Sequence, residues 1–220
     1  MARSSQGDAW RLGNETIALG ALALRSNDLL TAARPELADL VRETGETATL
    51  EVLVGDEVLI VDGVEGPSVV GASTEIGTRW PAHATSTGKV LLAAALDSGG
   101  ALPLRELETS RRRLRKVTSR TITDPNRFRR DLERISERGW AAAIEELETG
   151  YVALGAPVHD HHGKAVAAIS IGGPATRLTR SRIPGLARRV VRASDRVSRR
   201  LGFRQGPPGS ANPGGGNRIT

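Results

Sequence analysis

The chain contains no cysteine and few aromatic residues, and both shortages exclude whole classes of function. Among 220 residues there is no cysteine, so disulfide bonds and thiolate-based metal sites are excluded. The aromatic residues are one tyrosine, two phenylalanines and three tryptophans. That number is too small for the aromatic platforms on which proteins stack single-stranded nucleic acid.

Long apolar runs are also missing from the sequence. The longest, residues 90–96 and 165–171, fall far short of the roughly 20 residues that a membrane-spanning helix needs. The first seven residues are polar, so we expect neither a membrane span nor a signal peptide. Together with the lack of cysteine, this favours a cytoplasmic protein with one principal domain.

Positive charge is concentrated in the second half of the chain. The net charge is +6, but residues 1–100 carry 7 basic and 14 acidic side chains, whereas residues 101–220 carry 24 basic and 11 acidic ones. Two arginine-rich runs, residues 110–116 and 188–200, could attract nucleic acid. No base-reading motif accompanies them, so a solvated surface is the simpler interpretation.

The most informative segment is residues 81–93, with the sequence PAHATSTGKVLLA. Thr85 and Ser86 are typical N-cap residues ahead of an apolar run, which predicts that a helix begins there. The first-turn amides of a helix lack intrahelical partners, and with Lys89 nearby they would attract a carboxylate or a phosphate. The alternative is an ordinary capped helix in which Gly88 permits close packing.

Apolar periodicity along the rest of the chain predicts an α/β fold of the α+β type, with a mixed, mostly antiparallel sheet flanked by helices. The predicted helices are residues 13–26, 29–43 with Asp28 as N-cap, a helix from residue 86, 125–138 and 183–201. The predicted strands are residues 46–54, 57–64, 68–73, 140–144, 152–158 and 164–171, with turns at Gly55-Asp56 and residues 160–163. Residues 204–220 are expected to be a disordered tail.

Four stretches, in the same order and at compatible separations, resemble the IclR family of bacterial transcription regulators. They are residues 8–13, 29–45, 81–93 and 137–179, the last containing ERGW, EELETG, APV and ISIGGPATRLT. The resemblance implies a GAF-like effector-binding domain over residues 46–203, preceded by linker helices over residues 14–45.

The same resemblance implies that residues 1–13 are the remnant of a DNA-binding wing. The family's winged helix-turn-helix would precede that wing, and residues 1–9 contain no helix pair that could place a recognition helix in a major groove. We therefore expect an effector domain without its own DNA reader. The sequence is compatible with three explanations: a translation start assigned too far downstream, a truncated gene, or a stand-alone sensor.

The resemblance further implies a site for a small organic acid between the helix start and the strand that contains Ser170. The backbone amides of Ser86 and Thr87 would bind the carboxylate, and Ser170 would donate a side-chain hydrogen bond. The complete predicted site consists of Ser86, Thr87, Gly88, Ala143, Glu145, Ala153, Ser170 and Gly172.

Three of these positions depart from the family pattern. Some members place an acidic residue where this chain has Ala143, a polar residue where it has Ala153, and serine where it has Gly172. The substitutions predict a larger and drier cavity, which would suit a bulkier aromatic or aliphatic acid.

Other chemistries have weaker support in the sequence. Residues 159–162, His-Asp-His-His, could bind zinc or nickel, but neighbouring hairpin residues point in divergent directions and a polar turn explains them. Glu145, Glu146 and Glu148 could form an acid/base pair, although solvated charge or a lid over a pocket is simpler. The motifs of phosphate-binding loops and serine hydrolases are absent. We expect no cofactor, no metal and no enzymatic activity.

Two main functions are compatible with these patterns. The first is a small-molecule sensor of an IclR-type regulator, working as a dimer or tetramer whose arrangement changes when the effector binds. Such a chain would reach DNA only through a missing or partner-supplied helix-turn-helix. The second is a stand-alone modulator that forms mixed oligomers with full-length relatives. A third, less favoured, is an enzyme that acts on a carboxylic acid through Glu145 or Glu146.

Overall fold

The computed structural model describes residues 2–3, 10–11, 13–25, 27–68, 75–97 and 114–204. The elements are β1 (Ala2–Arg3), β2 (Trp10–Arg11), α1 (Asn14–Arg25), α2 (Asp28–Thr44), β3 (Thr47–Val54), β4 (Glu57–Val64), β5 (Arg79–Pro81), a 3-10 turn (Ala82–Ala84), α3 (Ser86–Asp97), α4 (Pro125–Arg138), β6 (Ala141–Ile144), β7 (Tyr151–His159), β8 (Ala165–Pro174) and α5 (Ile183–Arg200). Most of the predicted strand at 68–73, the tail at 205–220 and most of the arginine run at 110–116 lie outside the described residues.

Six strands form one sheet in the order β5-β4-β3-β8-β7-β6. Every pairing in the described part of this sheet is antiparallel, so the sheet is not mixed as the sequence suggested. The β3-β4 hairpin turns where expected, because Gly55 adopts a positive φ of 65° that a two-residue turn requires. Strands β1 and β2 form a separate antiparallel ribbon.

The boundary between α1 and α2 lies at Asn27. Its side-chain Oδ1 accepts hydrogen bonds from the backbone N–H groups of Leu29 at 3.0 Å and Leu30 at 3.3 Å. Asn27 is therefore the N-cap of α2, and the expected cap, Asp28, is the first helical residue instead. Asp28 still contributes, since a negative charge in the first turn complements the positive end of the helix macrodipole.

Helices α2 and α5 cover one face of the sheet and enclose its main apolar core. Leu37 and Leu40 of α2, Leu50 of β3, Ile169 of β8 and Val190 of α5 are all at most 1% exposed. Helix α2 was expected to be a linker, but these contacts make it part of the domain core. Burying side chains of this size contributes about 1.5 to 3 kcal/mol each.

Arginines of α5 hold that helix onto α2. Arg196 and Arg200 both pair with Glu36, whose side chain is 3% exposed, and Arg189 pairs with Glu43. Three of the six arginines in residues 188–200 therefore form ion pairs within the fold.

Helices α3 and α4 cover the opposite face of the sheet. Leu92 of α3 packs there against Phe128, Leu132 and Ile135 of α4, and all four side chains are at most 2% exposed. The amphipathic pattern predicted for α4 is confirmed, and Gly139 ends the helix at φ 74°.

Strand alternation places polar residues on the α3 side. Along β3, Ala48 and Leu50 join the apolar core on the α2 side, so Thr47, Thr49 and Glu51 face the other way. These polar residues are opposite small or polar residues of β8, with Thr49 paired to Ser170 and Thr47 to Gly172. The sheet therefore offers a polar surface beside the start of α3.

In the described ranges, no helix combines the length and apolar character needed to cross a membrane.

Candidate ligand-binding site

A cavity of about 540 Å³ lies between the start of α3 and the polar face of the sheet. This volume is within the range of about 300 to 1,000 Å³ typical of small-molecule sites. The lining residues are Thr47, Thr49, Glu51, Ile60, Glu75, Thr78, Trp80, Ala84, Thr85, Ser86, Thr87, Ala143, Leu147, Glu148, Tyr151, Ala153, Ser170 and Gly172.

The start of α3 is capped by Thr85. This residue is extended at φ −112° and ψ 153°, and its Oγ1 accepts a hydrogen bond of 3.0 Å from the N–H of Gly88. Ser86 and Thr87 are consequently the first two helical residues, and the helix offers their N–H groups no carbonyl partner four residues earlier. Both residues line the cavity, so a positive helix end opens onto it.

Gly88 and Lys89 do not line the cavity. A Cβ on Gly88 would lie 2.1 Å from the carbonyl oxygen of Ala82, so this glycine allows the 3-10 turn to pack on α3. Lys89 is 1% exposed, and its Nζ donates to Glu146 at 2.6 Å and to Asp131 at 3.1 Å. The expected contribution of Lys89 to an anion site is thus wrong, because two other carboxylates already bind its charge.

Glu51 forms part of the cavity wall, although the sequence analysis did not include it among the predicted site residues. Its residue surface is 6% exposed, Oε2 accepts a 2.6 Å hydrogen bond from Thr87, and Oε1 accepts one of 2.7 Å from Thr49. The hydroxyl of Ser170 lies 2.7 Å from that of Thr49. Burial raises the pKa of Glu51, and the hydroxyl hydrogen bonds only partly oppose that rise.

The charge balance of the cavity is acidic. Among the described residues that line it, Glu51, Glu75 and Glu148 are acidic and none is lysine, arginine or histidine. Within the described lining, the positive end of α3 therefore supplies the attraction for an anion, and no charged side chain adds to it.

Tyr151 occupies the space above Gly172. A Cβ on Gly172 would lie 1.8 Å from the Tyr151 hydroxyl, so only glycine leaves room for the phenol. Burial and the nearby carboxylates, led by Glu51, raise the pKa of Tyr151, which keeps its proton for donation. The Tyr151 hydroxyl therefore makes the cavity more polar than the small residues at positions 143, 153 and 172 predicted.

Trp80 and the loop at residues 145–150 contribute exposed residues to the described cavity lining. Trp80 is 41% exposed, and Glu148 of the loop is exposed as well. The hydroxyl of Thr118 donates a 2.6 Å hydrogen bond to the carbonyl oxygen of Glu145, and that of Thr121 donates one of 2.7 Å to Glu146. These bonds, together with the Lys89–Glu146 ion pair, hold the loop in place over the cavity.

Glu145 and Glu146 point away from the cavity. The Glu145 carboxylate pairs with Arg120 and accepts a 3.1 Å hydrogen bond from the N–H of Gly150, while Glu146 pairs with Lys89. Of the three glutamates considered as an acid/base pair, only Glu148 lines the cavity. An enzyme that used Glu145 or Glu146 on a bound acid has no geometric support.

The structure brings most of the predicted site residues together. Ser86, Thr87, Ala143, Ala153, Ser170 and Gly172 line the cavity, whereas Gly88 and Glu145 do not. The additional lining residues of β3 had a signal in the sequence. In residues 47–51, Thr-Ala-Thr-Leu-Glu, polar and apolar residues alternate, and in a sheet covered by helices on both faces this pattern buries a polar row.

The histidines near β7 form a turn and a stacking contact. The side chain of Asp160 accepts hydrogen bonds from the N–H groups of His162 at 2.9 Å and Lys164 at 3.0 Å. His159 stacks on Phe203 with ring centroids 5.1 Å apart, and burial lowers its pKa. Across the part of the chain that the structure describes, no group of three or more His, Asp or Glu side chains is placed to hold a metal ion.

Comparison with known proteins assigns the chain and its fold to a family. The family model named bacterial transcriptional regulator IclR C-terminal matches residues 21–199. The HTH-type transcriptional regulator BhcR of Paracoccus denitrificans is 37% identical over 194 residues, which cover 88% of this chain and 68% of that protein. The transcriptional repressor IclR of Escherichia coli is 31% identical over 191 residues, covering 86% of this chain and 68% of the repressor.

Solved structures agree with the sequence comparisons. The crystal structure of the Thermotoga maritima IclR has a TM-score of 0.78 at 31% identity, over 87% of this chain and 75% of that one. The chain belongs to the IclR family of transcriptional regulators, and its described fold is the family's C-terminal effector-binding domain. The predicted fold class and family are both confirmed. The relatives found are regulators rather than enzymes.

Proposed function

We propose that this chain senses a small organic acid in the cavity at the start of α3 and controls transcription through a ligand-dependent change in its oligomer. The observation that carries the proposal is the pair of unpartnered first-turn amides, at Ser86 and Thr87, that opens onto a cavity. A ligand carboxylate would accept hydrogen bonds from these amides.

The cavity surface supports a ligand larger than a two- or three-carbon acid. Beyond the helix start, the described lining includes Ala143 and Ala153 on one side of the cavity and Ile60 and Trp80 on the other. A hydrocarbon or aromatic group would pack on these apolar surfaces, and burying it would add about 25 cal/mol for each Å² removed from water. Polar contacts from Ser170 and Tyr151 would orient the ligand.

Helix α1 supports the oligomeric part of the proposal. Its described side chains are exposed, including Leu19 at 66% and Leu22 at 54%. Exposed apolar side chains of this kind mark a surface that packs against another chain. DNA contact would then depend on a helix-turn-helix in the same assembly, contributed by this polypeptide or by a partner.

A thermal-shift screen against aromatic and aliphatic acids tests the proposal. A ligand at about 100 times its Kd should raise the Tm by about 5 to 10 °C. Ala153→Phe should abolish the shift by filling the cavity, and Ser170→Ala should reduce it. Ser181→Ala, on the exposed surface, is the matched control and should respond like the parent.

Sedimentation velocity on the same samples tests the oligomer change. The ligand that raises the Tm should alter the sedimentation coefficient of the parent and of Ser181→Ala, but not that of Ala153→Phe. If no acid in the panel shifts a folded protein, the site does not bind organic acids. If a ligand binds without altering sedimentation, the regulatory part of the proposal is wrong.

A further inference from the structure

The position of Glu51 restricts which acids the cavity can accept, an inference that rests on the function proposed above. Glu51 Oε2 is hydrogen-bonded to Thr87 Oγ1 at 2.6 Å, and Thr87 also supplies one of the amides at the α3 start. A carboxylate bound at those amides would therefore lie within a few ångströms of the Glu51 carboxyl group. Two ionised carboxylates at that separation repel each other strongly in a buried site.

No cation in the described lining relieves this repulsion. The groups that face Glu51 are Thr49 on its own strand, Thr87 of α3, Ser170 of β8 and Tyr151 of β7, and all of them are neutral hydroxyls. Among the described lining residues, the other charged groups are Glu75 and Glu148, and both residues are exposed.

Two charged residues outside the cavity, Glu46 and Lys89, are already compensated. Glu46 is bound by Arg177 through two hydrogen bonds of 2.7 and 2.8 Å. Lys89 is bound by Glu146 and Asp131 on the opposite side of α3. Neither Arg177 nor Lys89 lines the cavity, so neither can hold Glu51 and a ligand carboxylate ionised together.

We propose that the cavity binds monocarboxylic acids together with one proton, that the neutral Glu51 carboxyl group donates this proton to the ligand carboxylate, and that dicarboxylic acids are rejected. The ligand carboxylate then accepts from the α3 amides on one side and from Glu51 on the other. A second carboxylate at the far end of the ligand would meet Glu75 and Glu148, with no cation among the described lining residues to compensate it.

The raised pKa of Glu51 agrees with this assignment, because burial already favours the protonated form before any ligand arrives. A bound anion would raise the pKa further. Above the pKa of Glu51 in the free protein, each pH unit should weaken binding by about tenfold, because binding then requires the uptake of one proton.

Isothermal titration calorimetry of the full chain tests the inference, with hexanoate against adipate and benzoate against terephthalate as matched pairs. The monocarboxylates should bind more weakly as the pH rises from about 5.5 to about 8.5. The dicarboxylates should bind at least about tenfold more weakly than their partners. Titrations in buffers of different ionisation enthalpy should show uptake of about one proton per ligand at the upper end of this range.

Three variants sharpen the measurement. Glu51→Gln should bind monocarboxylates with little pH dependence, since its amide donates a hydrogen bond without titrating. Glu148→Gln should recover part of the binding of adipate and terephthalate. Glu133→Gln, on the exposed surface of α4, is the matched control. It should change neither the pH dependence of monocarboxylate binding nor the weak binding of adipate and terephthalate.

The outcomes distinguish a failure of the inference from a failure of the proposed function. Binding of none of the four acids at any pH, together with the failed thermal-shift screen, would overturn both. Binding that is independent of pH and involves no proton uptake would overturn the inference and leave the organic-acid site intact. Tighter binding of a dicarboxylate than of its matched monocarboxylate would also overturn it. The pH profile and the proton uptake of the parent need no variant, so they decide the question even if Glu51→Gln does not fold.

Discussion

The α2 and α5 side of the central sheet and the cavity beside α3 bury acidic side chains in opposite ways. On the side of α2 and α5, Glu36 is paired with Arg196 and Arg200, and Glu46 with Arg177. On the side of α3, Glu51 is hydrogen-bonded only by hydroxyl groups. Burial does not distinguish these residues, since Glu36 and Glu46 are each 2% exposed and Glu51 is 6% exposed.

The difference lies in what each carboxyl group can still bind. Arginines compensate Glu36 and Glu46 inside the fold, so these glutamates tie helices and loops together. Glu51 has no compensating cation among its hydrogen-bond partners and lies on a cavity. We infer that the α2 and α5 side is arranged for stability and the cavity beside α3 for recognition, and four predictions test that division.

The largest expected difference is between neighbouring residues of β8 that face opposite sides. Ile169→Ala should lower the free energy of unfolding by about 3 kcal/mol, because it opens a void in the main core. Ser170→Ala removes only hydroxyl contacts and should cost about 1 kcal/mol or less. Urea denaturation measures both values. Equal losses would show that the cavity side carries as much of the stability as the core side.

Removing a compensating arginine should convert Glu46 to an unpaired buried carboxyl group. Arg177→Ala should cost about 2 kcal/mol, below the usual range for buried pairs because Arg177 is itself 33% exposed. Arg180→Ala, at an exposed neighbouring position, should change stability by less than about 0.5 kcal/mol. A neutral result for Arg177→Ala would mean that the pairing of Glu46 does not stabilise the fold.

Two glycines at the third position of their helices provide a packing test. Gly88→Ala should destabilise the protein by about 2 kcal/mol, because the added Cβ would overlap the backbone of Ala82. In α5 a Cβ on Gly185 would meet only the far end of Arg188, at 3.9 Å, so Gly185→Ala should stabilise the protein by about 0.5 kcal/mol. Thermal unfolding compares the pair. If Gly88→Ala is harmless, packing on Ala82 does not determine the position of the α3 start.

The smallest expected effect is the pH dependence that Glu51 adds to stability. Because burial raises its pKa from the ordinary value of 4.5, the folded state binds more protons than the unfolded state. The contribution of Glu51 is therefore fully present below pH 4.5 and is lost as the pH rises through the folded-state pKa.

Glu51→Gln should remove this dependence. The variant should exceed the parent in stability by about 1 kcal/mol at alkaline pH, and the advantage should disappear on acidification. Glu133→Gln should show no such trend. Denaturant unfolding across pH measures the difference, and an advantage of the same size at every pH would contradict the assigned protonation of Glu51.

Much of the fold could be predicted from the sequence, because its signals are local. The β3-β4 hairpin, α3, the amphipathic α4 and the final strands and helix all occur close to their predicted bounds. Strand β5 was not predicted, because its three residues are too few for a periodic pattern. The family resemblance implied that helix α2 is a linker, and its amphipathic pattern could not show which surface it covers.

The candidate site was predictable only in part. The α3 start follows from a capping residue and an apolar run, both adjacent in sequence. Glu51 and Ser170 lie 119 positions apart and meet only because β3 pairs with β8 in one register. Lys89, next to the predicted anion site, instead pairs with residues 42 and 57 positions away.

The sequence by itself determined most of the elements, the family resemblance and the position of the α3 start. The tertiary structure alone decided which charges surround that helix start. Strand register brought an uncompensated glutamate to the cavity, and helix packing turned the nearby lysine toward two other carboxylates. The physical reason is that the energy of a charge depends on its distance to other charges and to water, and distances between remote residues exist only once the chain has folded.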